Sequence, residues 1–275
     1  MTTSPRDGFD PRLHCTADPD GRITFRLRPP PDATRPRLLL RLRPGKGQPE
    51  TTLLPLDLEA TGDGPWQAVL APRPALAEGR WDVYLLRDPD AARERLRPGL
   101  RDLRALVDGD RLDRPSPVAV RIPYATKDGF LALRAWLRTV HAEAGRIDVT
   151  DRATTVTARL HGAALGDGAS VRLRLRGSGG VEHGVRPVPD ADHRGFRFTV
   201  GHEDLLRAGT AADHVWDVFV RPAADAPPVR VGRLLDDLAD RKAVFVCPAA
   251  RAGGAVLRPY YTVDNDLAVQ VTRPG

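Results

Sequence analysis

Aspartate and histidine are the residue types in this sequence whose spacing could create a metal site. Residues 18–20 (Asp-Pro-Asp) and 264–266 (Asp-Asn-Asp) match the Asp-x-Asp pattern of a metal motif. Both lie in stretches typical of turns, where Asp and Asn are common. The histidines form neither His-x-His nor His-Glu-x-x-His, and we expect them on the surface or in loops. They are His14, His141, His161, His183, His193, His202 and His214. The sequence therefore predicts no metal site and no cofactor.

Nucleophilic side chains also lack the surroundings that catalysis needs. No Gly-x-Ser-x-Gly elbow occurs in the sequence. Ser178 lies in the glycine-rich stretch 177–180, which predicts a hairpin turn, because no Lys-Ser or Lys-Thr follows as in a phosphate-binding loop. Cys15 and Cys247 form no Cys-x-x-Cys motif and are expected to be reduced thiols, although a disulfide between them is also compatible with the sequence. We therefore expect no catalytic residues and no enzymatic activity.

An internal repeat organises the chain. Residues 81–85 (Trp-Asp-Val-Tyr-Leu) recur as 216–220 (Trp-Asp-Val-Phe-Val), and residues 123–133 match 259–269 without a gap. Between these blocks, an Arg-Pro-Gly at 97–99 aligns with Arg-Val-Gly at 230–232. The period of about 135 residues is too long for a solenoid and indicates duplication of a whole domain.

The hydrophobic pattern predicts strands. Residues 170–176 alternate apolar side chains with arginines, which is typical of a half-buried strand. Further strands are predicted at 22–28, 154–160, 196–200, 243–246 and 267–271, with a strand followed by a short helical turn within 90–108 and again within 230–242. We predict an all-β fold made of two tandem, duplicated Ig-like β-sandwich domains with short helical turns. The first domain spans 12–134, a linker spans 135–146, and the second domain spans 147–273.

Four residues are predicted as possible ligand contacts. Trp81 and Trp216 lie in the apolar phase of their strands and are expected in the cores. Tyr261, by contrast, has an alanine as its counterpart in the first copy, so it is the aromatic residue predicted to contact a ligand. Asp82 and Asp217 recur on the opposite strand face, where they either anchor an arginine or line a site. The fourth predicted contact is Asp264.

Composition and charge limit the possible cellular compartments and binding partners. The net charge is +6 and the sequence pI is about 9.9, which would suit an acidic partner. However, the acidic residues are numerous and interspersed, so an ordinary solvated surface explains the charge better. Residues 1–11 show no apolar signal-peptide core, and no apolar run is long enough to cross a membrane. We expect a cytoplasmic protein with no membrane span.

These motifs resemble those of a known group of domains. Gly-x-Trp-Asp-Val at 79–83, the Arg-x-Gly after it, and the closing Pro-Tyr-x-Thr at 123–126 and 259–262 are similar to actinobacterial β-domains. Those domains lie C-terminal to family 2 glycosyltransferase or CDP-glycerol glycerophosphotransferase (teichoic-acid-type) modules. The resemblance covers both copies and implies a β-sandwich accessory domain, here as a stand-alone tandem pair without the catalytic module.

Three functions follow as hypotheses. The first is a non-catalytic binding or scaffold protein for a glycan, an anionic glycopolymer or a partner protein in cell-envelope glycopolymer biosynthesis. The second is a transferase-associated enzyme with a site in the inter-domain cleft, built from residues such as His183, His193, Asp190 and Glu203. The third, nucleic-acid binding through arginine-rich strands, is unlike known single-strand binders because no aromatic platform lies beside the basic strand.

Overall fold

The structure is a computed structural model that describes residues 11–28, 33–62, 64–109, 113–208 and 213–273. It divides into two compact units. Unit 1 contains the described residues of 1–109 and 119–137, and unit 2 contains those of 110–118 and 138–275.

Unit 1 is built almost entirely from strands. They are β1 (Arg12–Ala17), β2 (Ile23–Leu27), β3 (Arg37–Leu42), β4 (Leu53–Asp57), β5 (Trp66–Leu70), β6 (Gly79–Leu86), β7 (Glu94–Arg95), β8 (Arg97–Asp102), β9 (Val118–Ala125) and β10 (Leu131–Arg138). A short 3-10 helix, Arg104–Leu106, follows β8. One sheet has the order β5-β2-β1-β8 and the other β4-β3-β6-β10-β9, with β7 paired to β6.

Unit 2 has the same strand-rich character. Its elements are β11 (His141–Val149), β12 (Ala153–His161), β13 (Ser170–Leu175), β14 (Glu182–Val185), β15 (Val188–Pro189), β16 (Gly195–Gly201), α1 (His202–Ala208), β17 (His214–Arg221), β18 (Val229–Gly232), β19 (Ala250–Ala252), β20 (Ala255–Tyr261) and β21 (Leu267–Thr272). β18 pairs with both β11 and β17, which joins the strands into one sheet with the order β15-β16-β12-β11-β18-β17-β21-β20-β19. β13 pairs with β17 and with β14. The prediction of an all-β fold is confirmed.

The two units repeat one scheme of strand pairing. β1 pairs antiparallel with β2 and parallel with β8, as β11 pairs antiparallel with β12 and parallel with β18. β6 lies between β3 and β10, as β17 lies between β13 and β21. The sequence repeat therefore corresponds to a repeat of topology.

Each repeated tryptophan lies in the core of its own unit. Trp81 is 2% exposed and Trp216 is 0% exposed, which confirms the prediction from strand phase. In unit 2 the core combines Val156 on β12 and Phe198 on β16 with Val218 on β17. Burial of these apolar side chains against one another holds the strands of the unit together.

The predicted linker 135–146 contains the boundary between the two units, which falls after residue 137, and it is strand over almost its whole length. Three details of the sequence prediction need correction. Residues 243–246, predicted as a strand, form part of an exposed turn, and no helix forms between residues 233 and 242, all of which the structure describes.

The third correction concerns the alignment of the two copies. Tyr84 pairs with Arg95 in the same way that Phe219 pairs with Arg230. Since Tyr84 and Phe219 are equivalent in the repeat, the counterpart of Arg230 is Arg95. The predicted counterpart, Arg97, lies two residues too far along the chain.

Candidate ligand-binding cleft

A carboxylate surrounded by arginines lies on β6 of unit 1. Asp82 is 4% exposed, and its Oδ1 atom lies 2.6 Å from Nη2 of Arg43 and 3.1 Å from Nη2 of Arg95. Arg41, the cross-strand partner of Asp82, adds a third guanidinium, with Nη1 at 3.7 Å from Oδ2. The hydrogen bond to Asp82 raises the pKa of Arg43, so this guanidinium stays charged.

The same arrangement recurs on β17 of unit 2. Oδ1 of Asp217 lies 2.5 Å from Nη2 of Arg176 and 3.2 Å from Nη1 of Arg230. Burial by itself would raise the pKa of Asp217, but the hydrogen bonds and charges of these arginines outweigh it and hold the pKa below its usual value. The guanidinium groups of Arg174 and Arg230 also lie 4.8 and 4.9 Å from the centre of the Phe219 ring. Both carboxylates thus anchor arginines, one of the two roles predicted for them.

In unit 2 the arginines anchored by Asp217 open onto a cleft of about 280 Å³. We call it the arginine cleft, and its lining residues are Arg176, Arg230, Lys242, Tyr260, Thr262, Val263, Asp264 and Asp266. Arg176 directly follows β13 and Arg230 lies in β18, and both of these strands pair with β17. Tyr260 is on the outward face of β20, and Lys242 lies with its Nζ atom 6.0 Å from the centre of that ring.

A tight turn between β20 and β21 forms one wall of the cleft. The Thr262 Oγ1 atom accepts hydrogen bonds from the backbone N–H groups of Asp264 and Asp266, at 3.2 and 3.3 Å. Asn265 has a φ of 60°, the left-handed conformation that Asn tolerates better than most residues. Its side chain accepts a hydrogen bond from the Arg241 N–H at 3.0 Å and donates one to the Leu238 carbonyl at 2.9 Å. The buried Asn265 therefore fixes the segment that carries Lys242 beside the turn.

The chemistry of the cleft is that of recognition by charge, hydrogen bonding and ring stacking. Arg176 has a side chain that is 49% exposed, so part of its guanidinium faces solvent while another part holds Asp217. Arg230 is also held by Asp266, with Nε to Oδ2 at 3.4 Å. An arginine fixed in this way presents its remaining N–H donors in a set direction, which suits an anionic oxygen atom.

The first copy carries a different group at the corresponding position. In the gapless match of 123–133 with 259–269, the counterpart of Asp266 is Phe130. The guanidinium of Arg95 stacks over the Phe130 ring, with Cζ 4.2 Å from the ring centre. An aromatic ring thus contacts the arginine in unit 1, where unit 2 has a carboxylate at the edge of the cleft.

The four predicted contact residues lie in different environments. Asp217 lies behind the arginine cleft, Asp264 lines it, and Asp82 holds the equivalent position in unit 1. Tyr261 is 0% exposed, so the prediction that it contacts a ligand from solvent does not hold. Its ring packs edge-on against Phe245, with centroids 5.6 Å apart. The connection between β18 and β19 covers Tyr261, whereas its counterpart Ala125 is exposed.

A buried histidine cluster was missed by the sequence analysis. His141 and His161 are both 0% exposed, with ring centroids 6.4 Å apart, and His141 Nε2 lies 2.7 Å from Glu143 Oε2. Glu143 in turn accepts hydrogen bonds from the backbone N–H groups of Leu234 and Leu235, at 2.9 and 3.1 Å. The expectation that histidines lie at the surface or in loops is wrong for these two, and also for His202 and His214, which are 1% and 8% exposed. Alternation could not have placed His141 and His161 inside, because each lies in the strand phase opposite the apolar residues of β11 or β12.

The described part of the chain bears on metal binding, on the state of the two thiols and on membrane crossing. There, no group of three or more His, Cys, Asp or Glu side chains is arranged to hold a metal ion. Cys15 and Cys247 are both buried and free, and burial raises the pKa of Cys15 to about 12. Of the helices in the described ranges, none has the length and apolar character that crossing a membrane requires.

The residues proposed for an enzymatic site are dispersed in small local contacts. His183 Nε2 lies 4.0 Å from Asp204 Oδ2, and Glu203 is exposed on α1. His193 meets Asp190 through a backbone hydrogen bond of 3.0 Å, which closes a turn. These contacts do not form a nucleophile–base pair.

Comparison with known proteins gives distant structural likenesses. No known family model matches the sequence, and no curated protein matches it. A crystal structure of S. aureus TarS has a TM-score of 0.39 and 16% identity, over 59% of this chain and 31% of that one. The structure of S. aureus TarS 217–571 has a TM-score of 0.30 and 13% identity, over 75% and 60%.

A third likeness is to a tetra-tandem repeat in the extending region of a large adhesion protein. Its TM-score is 0.21 and its identity 9%, over 96% of this chain and 66% of that one. The chain therefore spans less than a third of the first TarS structure and less than two thirds of the other two. At these TM-scores the likenesses carry no argument about function, and the resemblance to glycopolymer-enzyme accessory domains stays a prediction.

Proposed function

We propose that this protein is a non-catalytic binding module for an anionic glycopolymer in cell-envelope glycopolymer biosynthesis. The observation that carries the proposal is the arginine cleft, where Arg176, Arg230 and Lys242 converge beside the Tyr260 ring. The role is also the one implied by the resemblance to accessory β-domains of glycopolymer enzymes.

The lining of the cleft suits a polymer of sugars or polyols joined by charged groups. The cations would bind phosphate or carboxylate oxygens, and the Thr262 hydroxyl and the Asp264 carboxylate would accept hydrogen bonds from ligand hydroxyls. The Tyr260 face could stack on a ring. A volume of about 280 Å³ is near the lower end for small-molecule sites, so the cleft would hold about one repeating unit of a longer chain.

The ionisation of the cleft supports binding over acid–base catalysis. Asp217 is held ionised, and its hydrogen bond raises the pKa of Arg176 further above neutrality. General acid–base catalysis is most efficient with a group whose pKa lies near the working pH. Groups fixed in one charge state serve better as stable electrostatic contacts.

Binding of nucleic acid through β13 is disfavoured by the partners of its arginines. Arg172 and Arg174 both contact Glu182 on β14, at 3.2 and 2.8 Å. Arg176 is held by Asp217 in the same way. These three guanidinium groups share two carboxylates, which lowers the net charge that they offer to phosphates.

Binding of the intact protein to poly(glycerol phosphate) and to a neutral dextran, measured by calorimetry, tests the proposal. We expect saturable binding of the phosphate polymer that weakens with salt, and little binding of dextran. Lys242→Gln should weaken binding about tenfold, since a hydrogen bond to a charged group contributes about 1.5–3 kcal/mol. Tyr260→Ala should weaken it further by removing the ring.

Lys46→Gln is the matched control, because Lys46 is an exposed lysine in a turn of unit 1. It removes the same charge and should leave the affinity unchanged. Equal losses for Lys46→Gln and Lys242→Gln would mean that net charge, and not the cleft, drives binding. Absence of binding to the phosphate polymer, or unchanged binding by both cleft variants, would refute the proposal.

A further inference from the structure

An exposed apolar turn projects from unit 2 next to the arginine cleft. Residues 242–246 (Lys-Ala-Val-Phe-Val) are all exposed, in a connection that joins β18 to β19. Val244 is 65% exposed and Val246 is 77% exposed, and Val263 on the neighbouring turn is 50% exposed. Single apolar residues at a surface are ordinary, but consecutive ones on a projecting turn indicate a contact surface.

The turn is anchored at its base and not at its tip. Phe245 packs edge-on against the buried Tyr261, while the backbone N–H groups of Val244 and Phe245 both donate to the Arg241 carbonyl, at 3.1 and 2.8 Å. Arg241 itself is buried and held by Asp236. The base is therefore rigid, and the two valine side chains are displayed outward by an ordered scaffold.

Cations accompany the valines on this side of the unit. Lys242 begins the exposed stretch, and Arg258 acts electrostatically on Cys247 at its far end. Arg251 on β19 lies opposite Val256, so its side chain is on the same face of the sheet as that of Arg258. All three cations are exposed, and the acids nearby are the exposed Asp264 and the half-buried Asp237 and Asp240 of the same connection.

We infer that this turn and its flanking cations dock unit 2 onto an anionic lipid bilayer, with Val244 and Val246 inserted at the level of the headgroups. The inference goes beyond the proposed function and does not depend on it. Convex valine tips do not form the pocket that a protein partner's anchor residue fills, but they can enter a fluid interface. Lysine and arginine beside them would be attracted by the negative surface potential of such a membrane.

The turn also needs no extra hydrogen bonds to enter an interface. Insertion of apolar side chains to about 5–10 Å reaches only the boundary between headgroups and acyl chains, where water still satisfies backbone groups. A connection without sheet hydrogen bonds is tolerated at that depth. The same connection would not be tolerated within the hydrocarbon layer.

Co-sedimentation of the intact protein with lipid vesicles tests the inference. The probes are vesicles of pure phosphatidylcholine and vesicles in which a third of the lipid is phosphatidylglycerol. We expect binding to the anionic vesicles, reduced at least about tenfold by the double change Val244→Ser and Val246→Ser, because each valine loses part of its burial free energy. Arg251→Gln with Arg258→Gln should reduce binding by a similar factor and flatten its salt dependence.

Val188→Ser is the matched control, because Val188 is 54% exposed on β15, an edge strand far from this turn in the sheet order. It should leave vesicle binding unchanged. The valine double variant should still bind poly(glycerol phosphate), so loss of membrane docking is distinguishable from loss of the cleft. Absence of vesicle binding by the unmodified chain, or full binding by the double variant, overturns the inference. Dissociation of an oligomer by the double variant would assign the turn to a second copy and also overturn it.

Discussion

Replacing Asp82 by asparagine should destabilise unit 1 more than the same change at Asp217 destabilises unit 2. Asparagine keeps the shape of the side chain and removes its charge. The Asp82 side chain is 6% exposed, and the arginines around it are about a quarter to a third exposed. The change therefore leaves Arg43 and Arg95 close together without the carboxylate that separates their charges. Arg41, by contrast, keeps Glu50 as a partner.

The magnitude follows from the burial of the cluster. Removing one partner of a fully buried ion pair costs about 3–5 kcal/mol, whereas an exposed pair contributes about 0–1 kcal/mol. Asp82 is buried but its partners are partly solvated, so we expect a loss of about 2–3 kcal/mol. Asp217 is 14% exposed, and one of its two arginines is 49% exposed, so the loss there should be smaller. We expect about 1–2 kcal/mol at that position.

Amide hydrogen exchange resolves the two units within the intact chain. The slowest amides of β6 report on unit 1, and those of β17 report on unit 2. A loss of about 2–3 kcal/mol should speed exchange in β6 by about thirty- to 160-fold for Asp82→Asn, with β17 unchanged. An acceleration below about threefold in β6 would show that the cluster behaves as a surface array, and equal effects of the two variants would refute the argument from burial.

Two further predictions concern the cores. Burial, together with the charges of neighbouring groups, lowers the pKa of His161 to about 4, so the folded state resists its protonation and stability falls as pH decreases below the ordinary histidine pKa. The free energy of unfolding, measured with urea, should fall by about 2 kcal/mol between about pH 7.5 and pH 5. His161→Gln should lessen that pH dependence. His193→Asn, at an exposed position with left-handed backbone, should leave it unchanged. Trp81→Phe should destabilise its unit by about 1 kcal/mol more than Trp216→Phe does, because Trp81 Nε1 donates to Ala77 O at 3.1 Å. The buried Trp216 Nε1 has no hydrogen-bond partner among the described residues, and equal effects by hydrogen exchange would contradict this reasoning.

The sequence could predict the strands and the duplicated topology because both depend on local pattern. The alternation of β13 and the repeated Trp-Asp-Val block specify which side chains enter the core, and that requirement is the same in both units. It could not predict the burial of Tyr261. That burial depends on a connection, residues 233–249, which folds back over β20 through contacts distant in sequence. Tyr261 was predicted as a contact because its counterpart in the first copy is an alanine. In the structure this differing residue is buried under the connection and does not face solvent.

The arginine cleft could not be predicted from the sequence either. Its arginines and Tyr260 have equivalents in unit 1, so the repeat does not distinguish them as a site. The cleft becomes distinct through Lys242, which lies in the connection after β18, and through Asp266, which stands where Phe130 stands in unit 1. Neither residue forms a motif with its sequence neighbours.

Divergence between the copies is therefore the most informative guide to function in this chain. The carboxylate–arginine cluster is kept in both units, which is expected of groups that stabilise the outer face of a sheet. In unit 2 the connection after β18 adds a cation to the cleft, covers Tyr261, and displays Val244 and Val246. A single segment thus shapes both the proposed polymer site and the proposed membrane contact. Because buried Asn265 fixes that segment to the turn between β20 and β21, Asn265→Ala should disturb polymer binding and vesicle binding together. Tyr260→Ala should disturb only polymer binding, and the double change Val244→Ser with Val246→Ser should disturb only vesicle binding.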